Sequence, residues 1–160
     1  MAMRIGQGWD RHRLAPGRPC VLGGVTFPDF PVGPVGHSDA DAVCHAIIDA
    51  VLGAAGLGDI GDMFPDTDPA FAGADSRDLL ATAWGAVREL GWYLVNLDVV
   101  IICEGPAISP MREEMRAKIA ATLGSTAAAV NIKATRGEGM GPEGRGECVT
   151  VQAVALLEDA

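Results

Sequence analysis

The sequence predicts a single layered α/β (α+β) domain, and three features carry that expectation. Strand-like and helix-like segments alternate over most of the 160 residues. That length suits one domain with a substantial core, so residues 1–160 are read as one unit. Hydrophobic residues make up 49% of the chain, yet no apolar run approaches the roughly 20 residues of a membrane span.

Residues 3–10 read as the first strand. In an extended segment alternate side chains share a face, so Asp10 and His12 point the same way. Val21-Leu22-Gly23-Gly24-Val25-Thr26-Phe27 reads as a hairpin, two apolar runs about a Gly-Gly pair. Pro28 to Pro34 form a proline-rich loop leading to His37-Ser38-Asp39-Ala40-Asp41. A helix is expected from Asp39, because Val43, Ala46, Ile47, Ala50, Val51 and Ala54 recur at the helical period and Ser38 or Asp39 can cap it. His45 falls off that stripe, on a face with Asp41 and Asp49. Both a solvated polar face and a functional one fit the placement.

Leu57 to Pro69 is rich in glycine, proline and acids and is expected to hold no regular element. Ile60, Met63 and Phe64 would tie it down as a structured substrate loop. A second helix should begin after Asp75 or Ser76 and run to about Leu90, with Leu79, Leu80, Ala83, Trp84, Val87 and Leu90 inward. Leu97 to Cys103 reads as a buried strand. Ser109 as cap and Pro110 at the first helical position open a third helix, whose Met111, Met115, Ile119 and Leu123 are core filler. Val130–Thr135 and Cys148–Leu157 complete the strands.

Between those last two strands runs a glycine-rich loop, residues 135–147. Its amides can approach an anion closely, with Arg136 or Arg145 adding charge, but the Gly-Lys-Ser/Thr ending of a P-loop is missing. A flexible hairpin is the default reading of the loop. Glu138 within it suits a hard cation such as magnesium.

The formal charge of −9, with no Lys/Arg cluster, argues against nucleic acid or an anionic membrane as partner. A phosphorylated metabolite remains open to an acidic protein that places metal ions and a few cations against it. Cys20, Cys44, Cys103 and Cys148 are far apart in apolar surroundings and read as buried reduced thiols. With no charged-then-apolar leader, a cytoplasmic location is expected. All three histidines precede residue 46. Asp10, His12 and His45 together would give zinc its three protein ligands and leave a fourth position open. The plainer alternative is a surface pair or a satisfied hydrogen bond.

Several stretches together resemble the 2-C-methyl-D-erythritol 2,4-cyclodiphosphate synthases of the non-mevalonate isoprenoid pathway. They are Arg4-Ile5-Gly6 with Gly8, Asp10 and His12; His37-Ser38-Asp39 with Asp41 and His45; Gly58-Asp59-Ile60-Gly61 through Phe64-Pro65-Asp66-Thr67-Asp68; Gly73-Ala74-Asp75-Ser76-Arg77; and Gly144-Arg145-Gly146-Glu147. The likeness covers essentially the whole chain. It implies a small mixed β-sheet with helices packed on one face, assembled as a homotrimer around a central cavity that can hold an isoprenoid diphosphate near Arg145.

The resemblance further implies zinc on Asp10, His12 and His45, and magnesium or manganese on Glu138. His37 would stabilise the transition state and contact phosphate with Ser38. Asp59, Ile60 and Gly61 would contact the ribose, and Phe64 to Asp68 would cover the methylerythritol end. Cys103 and the run Pro106-Ala107-Ile108-Ser109 would form the cytosine pocket, contributed by a neighbouring subunit. Thr135, Arg136, Gly137 and Glu138 would meet the phosphates, with Arg136 at a catalytic position. The implied reaction closes a cyclic diphosphate and releases CMP.

The chain departs from the family at several points. Gln7 replaces a histidine, Ala40 a glycine, Ala107 a lysine and Pro142 a phenylalanine, and the loop's Thr-Thr-Thr-Glu-Lys is here Thr135-Arg136-Gly137-Glu138-Gly139. The alternative is therefore a metal- and nucleotide-binding trimer whose altered loop leaves it weak or no turnover.

Overall fold

The computed structural model describes residues 1–160. Its sheet has five strands in the order β4-β1-β7-β5-β6, formed by β1 (Met3–Pro16), β4 (Val32–Pro34), β5 (Trp92–Ile102), β6 (Val130–Thr135) and β7 (Cys148–Asp159). Only the β5–β6 pair is parallel, so the sheet is mixed, as expected. β2 (Val21–Leu22) and β3 (Val25–Thr26) make the predicted hairpin, with Gly23 at φ 61° and Gly24 at φ 74°. Positive φ at both central residues suits a tight hairpin turn, which glycine enters without strain.

The helices α1 (Ala42–Ala55), α3 (Ser76–Glu89) and α4 (Arg112–Thr122) pack on one face of that sheet. α1 is buried nearly all round rather than along one stripe, with Asp49 and Gly53 its only residues outside the core. It lies on β1 and β7 on one side and against α3 on the other. Gly6 and Gly8 make this possible, since a Cβ at either would sit inside the carbonyl oxygens of Ala50 or Ala46. The two glycines thus bring α1 backbone-close to the strand that carries Asp10 and His12.

Several expectations are corrected. α1 is capped by Asp41, not Ser38 or Asp39, because Ala40 turns the chain into the left-handed region at φ 59° and postpones the first helical turn. Asp41 is fully buried, so no solvated polar face exists there. Its carboxylate accepts the amides of Gly23 (2.8 Å), Gly24 (2.7 Å), Val43 (3.0 Å) and Cys44 (3.2 Å), fastening the hairpin to the helix start. Burial raises the Asp41 pKa, and the amides of Gly24, Gly23 and Cys44 draw it partly back.

The connection after α1 is not wholly irregular. Asp59 and Asp62 form a capping box over a short helix, α2 (Ile60–Met63), and Asp68 caps a single 3₁₀ turn at Pro69–Phe71. Leu90 is 54% exposed at the C-cap of α3 instead of inward. Ser109 does not cap α4, because Ser109–Met111 tighten into a 3₁₀ turn ahead of it. The glycine-rich loop is no hairpin, since β5 lies between β6 and β7, and it carries a short helix, α5 (Gly141–Gly144). The four cysteines are free and buried. Burial pushes the Cys103 thiol up to about 11 and Cys20 up to about 12, so neither is a thiolate at neutral pH. No helix is long and apolar enough to cross a membrane.

Candidate active site

Strand parity sets the first half of the site. Asp10 pairs with Val151 and His12 with Val149 across β1 and β7, so both side chains leave the sheet on the face that α1 covers. His45, in the first turn of α1, meets them there. His12 Nε2 lies 2.8 Å and His45 Nδ1 3.3 Å from Asp10 Oδ2, and the two ring nitrogens are 3.2 Å apart. Asp10 Oδ2 is buried, yet no hydrogen bond is aligned on it.

Three ligand-type atoms, one from each residue, lie within 4.8 Å of one another, a set that could hold a cation. Each imidazole is held from behind. His12 Nδ1 reaches the Val35 carbonyl at 2.8 Å, and His45 Nε2 meets Ser76 Oγ at 2.8 Å and Ser38 Oγ at 3.1 Å. Burial opposes a charge on Asp10, but the adjoining imidazoles, His12 first, outweigh it and hold its carboxyl at about 2. Burial likewise works against a charge on His12, yet the neighbouring Asp10 carboxylate prevails and raises its pKa.

The triad opens into a cleft of about 470 Å³. His37, Ser38, Ile60, Gly61, Phe64, Pro65 and Asp66 line it, so the histidine turn and the 60–66 segment meet at one cleft. His37 Nε2 is 2.9 Å from the Asp68 carbonyl, and Gly73 N donates to the His37 carbonyl at 2.8 Å, which ties the histidine turn to the loop opposite. The Ile60 amide donates to Asp49 Oδ1 at 2.8 Å and anchors α2 to α1. Asp59 caps α2 beside the cleft without lining it, and Thr67 is exposed beyond it.

The remaining predicted residues gather elsewhere. Cys103, Pro106, Ala107, Ile108, Ser109, Thr135 and Arg136 line a second cleft of about 200 Å³ at the C-terminal ends of β5 and β6. Glu104, Ala134 and Arg112 complete it, and the last two are residues the sequence reading missed. Gly137 donates its amide to Glu104 at 3.2 Å. Glu138 stands exposed on the loop at φ 54°, its carboxylate unpaired, while Pro142 lies in α5 and Arg145 bonds Glu147 at 2.7 Å. One chain thus holds a cleft over Asp10, His12 and His45 and a separate cleft between strand ends. Ser76 was also missed as a site residue, although it sits in a quoted motif, because a serine at a helix start reads first as capping.

Comparison with known proteins places the chain among its relatives. The YgbB family model matches residues 3–158. A 2-C-methyl-D-erythritol 2,4-cyclodiphosphate synthase of Azoarcus sp. (strain BH72) is 55% identical over 157 residues, covering 98% of this chain and 96% of its own. Among solved structures, the bifunctional IspDF from Campylobacter jejuni superposes with a TM-score of 0.95 at 38% identity, covering 99% of this chain, which spans 43% of that longer protein. A 2C-methyl-D-erythritol-2,4-cyclodiphosphate synthase in its CDP-bound form superposes with a TM-score of 0.88 at 37% identity, covering 97% of this chain and 100% of its own.

Proposed function

The chain belongs to the YgbB family, and from that membership we propose how its two clefts divide the family's reaction. The protein converts 4-diphosphocytidyl-2-C-methyl-D-erythritol 2-phosphate to 2-C-methyl-D-erythritol 2,4-cyclodiphosphate in isoprenoid biosynthesis, as a cyclising, CMP-releasing phosphorus–oxygen lyase. An oxygen of the substrate's 2-phosphate bonds to the β-phosphorus of its own cytidine diphosphate. The bond from that phosphorus to the bridging oxygen breaks, and CMP departs with the electron pair. Both reacting groups are anionic, so positioning and charge neutralisation are the main sources of acceleration.

The observation that carries this reading is the opening of the Asp10, His12 and His45 donor set directly into the cleft lined by His37, Ser38 and the 60–66 loop. Those three residues would hold zinc, with magnesium or manganese on Glu138. When bound, the cations supply Lewis-acid polarisation and cancel phosphate charge. Glu138 suits the second site because a lone carboxylate plus substrate phosphates is how magnesium is commonly held. His37 donates its Nε2 proton to the Asp68 carbonyl, which can only accept, and the ring so held is assigned to contact phosphate as transition-state stabiliser. Asp59, Ile60 and Gly61 are assigned to the ribose, and Phe64 to Asp68 to the methylerythritol end. Arg136 lines the second cleft and is assigned to the phosphates in place of a threonine hydroxyl.

The second cleft, from Cys103 to Ser109, is assigned to the cytosine ring of a substrate bound chiefly by a neighbouring subunit. A homotrimer is supported by the sheet face turned away from the helices, where Met3, Ile5, Trp9 and Val154 are 60%, 71%, 48% and 38% exposed. Such a trimer would enclose a cavity able to take an isoprenoid diphosphate near Pro142 and Arg145. The test is phosphorus NMR of the product from the diphosphocytidyl substrate. CMP and a cyclic diphosphate are expected, whereas a linear product would identify a hydrolase. Binding without turnover would select the inactive-trimer alternative. Arg136→Ala is expected to weaken both substrate affinity and rate, and no change in either would remove Arg136 from the phosphates.

A further inference from the structure

The stretch Gly73-Ala74-Asp75-Ser76-Arg77 has no part in the reaction as described, yet the Ser76 side chain is wholly buried beside a metal-ligand histidine. Its hydroxyl donates to Asp39 Oδ1 in a short hydrogen bond, and its amide donates to Asp39 Oδ2 at 3.2 Å. Asp39 is itself fixed, since Asp41 N donates to its Oδ1 at 3.0 Å and its own amide donates to the Ala74 carbonyl at 3.0 Å.

Proton directions follow from this clamp. A carboxylate only accepts, so the single Ser76 proton goes to Asp39, and the Ser76 oxygen can then only accept from His45 Nε2 at 2.8 Å. His45 must carry its proton on Nε2, which leaves the Nδ1 lone pair facing Asp10 and His12. Ser38 Oγ, 3.1 Å from the same nitrogen, is a second acceptor for that proton, and it already takes the Ala40 amide at 3.1 Å.

We infer that Ser76 and Asp39 form a positioning relay, carboxylate to hydroxyl to imidazole, that sets the tautomer and ring orientation of His45 for cation binding. Neither residue touches the cation or the substrate; both act through His45. The inference rests on reading Asp10, His12 and His45 as a metal site. A hydroxyl interposed between carboxylate and histidine does the work of the outer-shell carboxylate that commonly backs a metal-bound imidazole.

The test compares the full chain with its Ser76→Ala and Asp39→Asn variants by chelator competition for zinc and by the visible spectrum of the cobalt-substituted protein. Ser76→Ala is expected to weaken zinc about 10- to 100-fold and to shift the cobalt bands. Asp39→Asn keeps an acceptor but removes the charge, and should weaken zinc by less. A residue that served only to start α3 would alter thermal stability and leave both metal readouts in place. Ser76→Ala with wild-type zinc affinity and cobalt spectrum overturns the relay, and so does an unchanged Asp39→Asn should Ser76→Ala fail to fold. A wild-type chain that binds no zinc overturns the metal reading beneath it, a separate and recognisable failure.

Discussion

Ala40 sits in the left-handed backbone region at φ 59° and is fully buried just before α1. A β-carbon there costs about 1 kcal/mol, which glycine would recover against a loss of comparable size from a freer unfolded chain and a lost methyl contact. Ala40→Gly is therefore expected to leave stability unchanged or raise it by up to about 1 kcal/mol in denaturant unfolding. Ala46→Gly, inside α1, should cost about 1 kcal/mol.

The site's titration has a definite sign in the metal-free protein. Asp10, lowered from 3.8 to about 2, contributes stability above pH 3.8 that is lost as pH falls through about 2. His12, raised from 6.5, contributes fully below pH 6.5, and its share is lost as pH rises through the folded value. A cation needs the neutral ring, so zinc affinity should climb from about pH 6 to about pH 8, followed by chelator competition. Equal affinity across that range would contradict histidine ligation of the cation. At this scale the pairing of Asp10 with His12 was legible, because strand parity is local. The role of Ser76 was not, because it depends on a hydrogen-bond direction fixed by Asp39, thirty-seven residues away.

The unit formed by β1 and α1 builds the metal cleft, and its closeness depends on Gly6 and Gly8. Gly8→Ala forces a Cβ into the Ala46 carbonyl, one residue from His45. The expected result is a stability loss of about 3 kcal/mol in urea unfolding together with weakened zinc binding. A variant as stable as wild type would show that α1 can move away without harm. The presence of α1, α3 and the long strands was readable, but β1 runs on to Pro16 instead of ending at 10 and β5 begins at Trp92 instead of Leu97, ahead of a bulge between Leu94 and Asn96 that breaks its alternation. The start of α1 and the order within 57–69 were less so. Both depend on aspartate side chains, Asp41, Asp59 and Asp68, capping turns in ways that composition alone does not reveal. The glycine-rich loop was misread as a hairpin because nothing local says that β5 separates β6 from β7.

The whole molecule leaves one face of its sheet bare and its predicted site residues divided between two clefts, and a symmetric assembly would answer both. Ile5 is 71% exposed in the single chain, so Ile5→Asp should barely disturb the monomer fold. In solution it should convert a species of three 16.5 kDa chains into smaller ones and abolish turnover, as read by light scattering and CMP release. Retention of both would place the interface elsewhere. Residue patterns named the fold class and the three residues that could hold a metal; the assembly came only from the family resemblance, because an interface is written in which faces stay uncovered. Asp10, His12 and His45 would together hold one divalent ion. Metal analysis of the purified wild type beside His45→Ala tests it most directly: one zinc per chain in the first and none in the second is predicted, and equal zinc in both would contradict it.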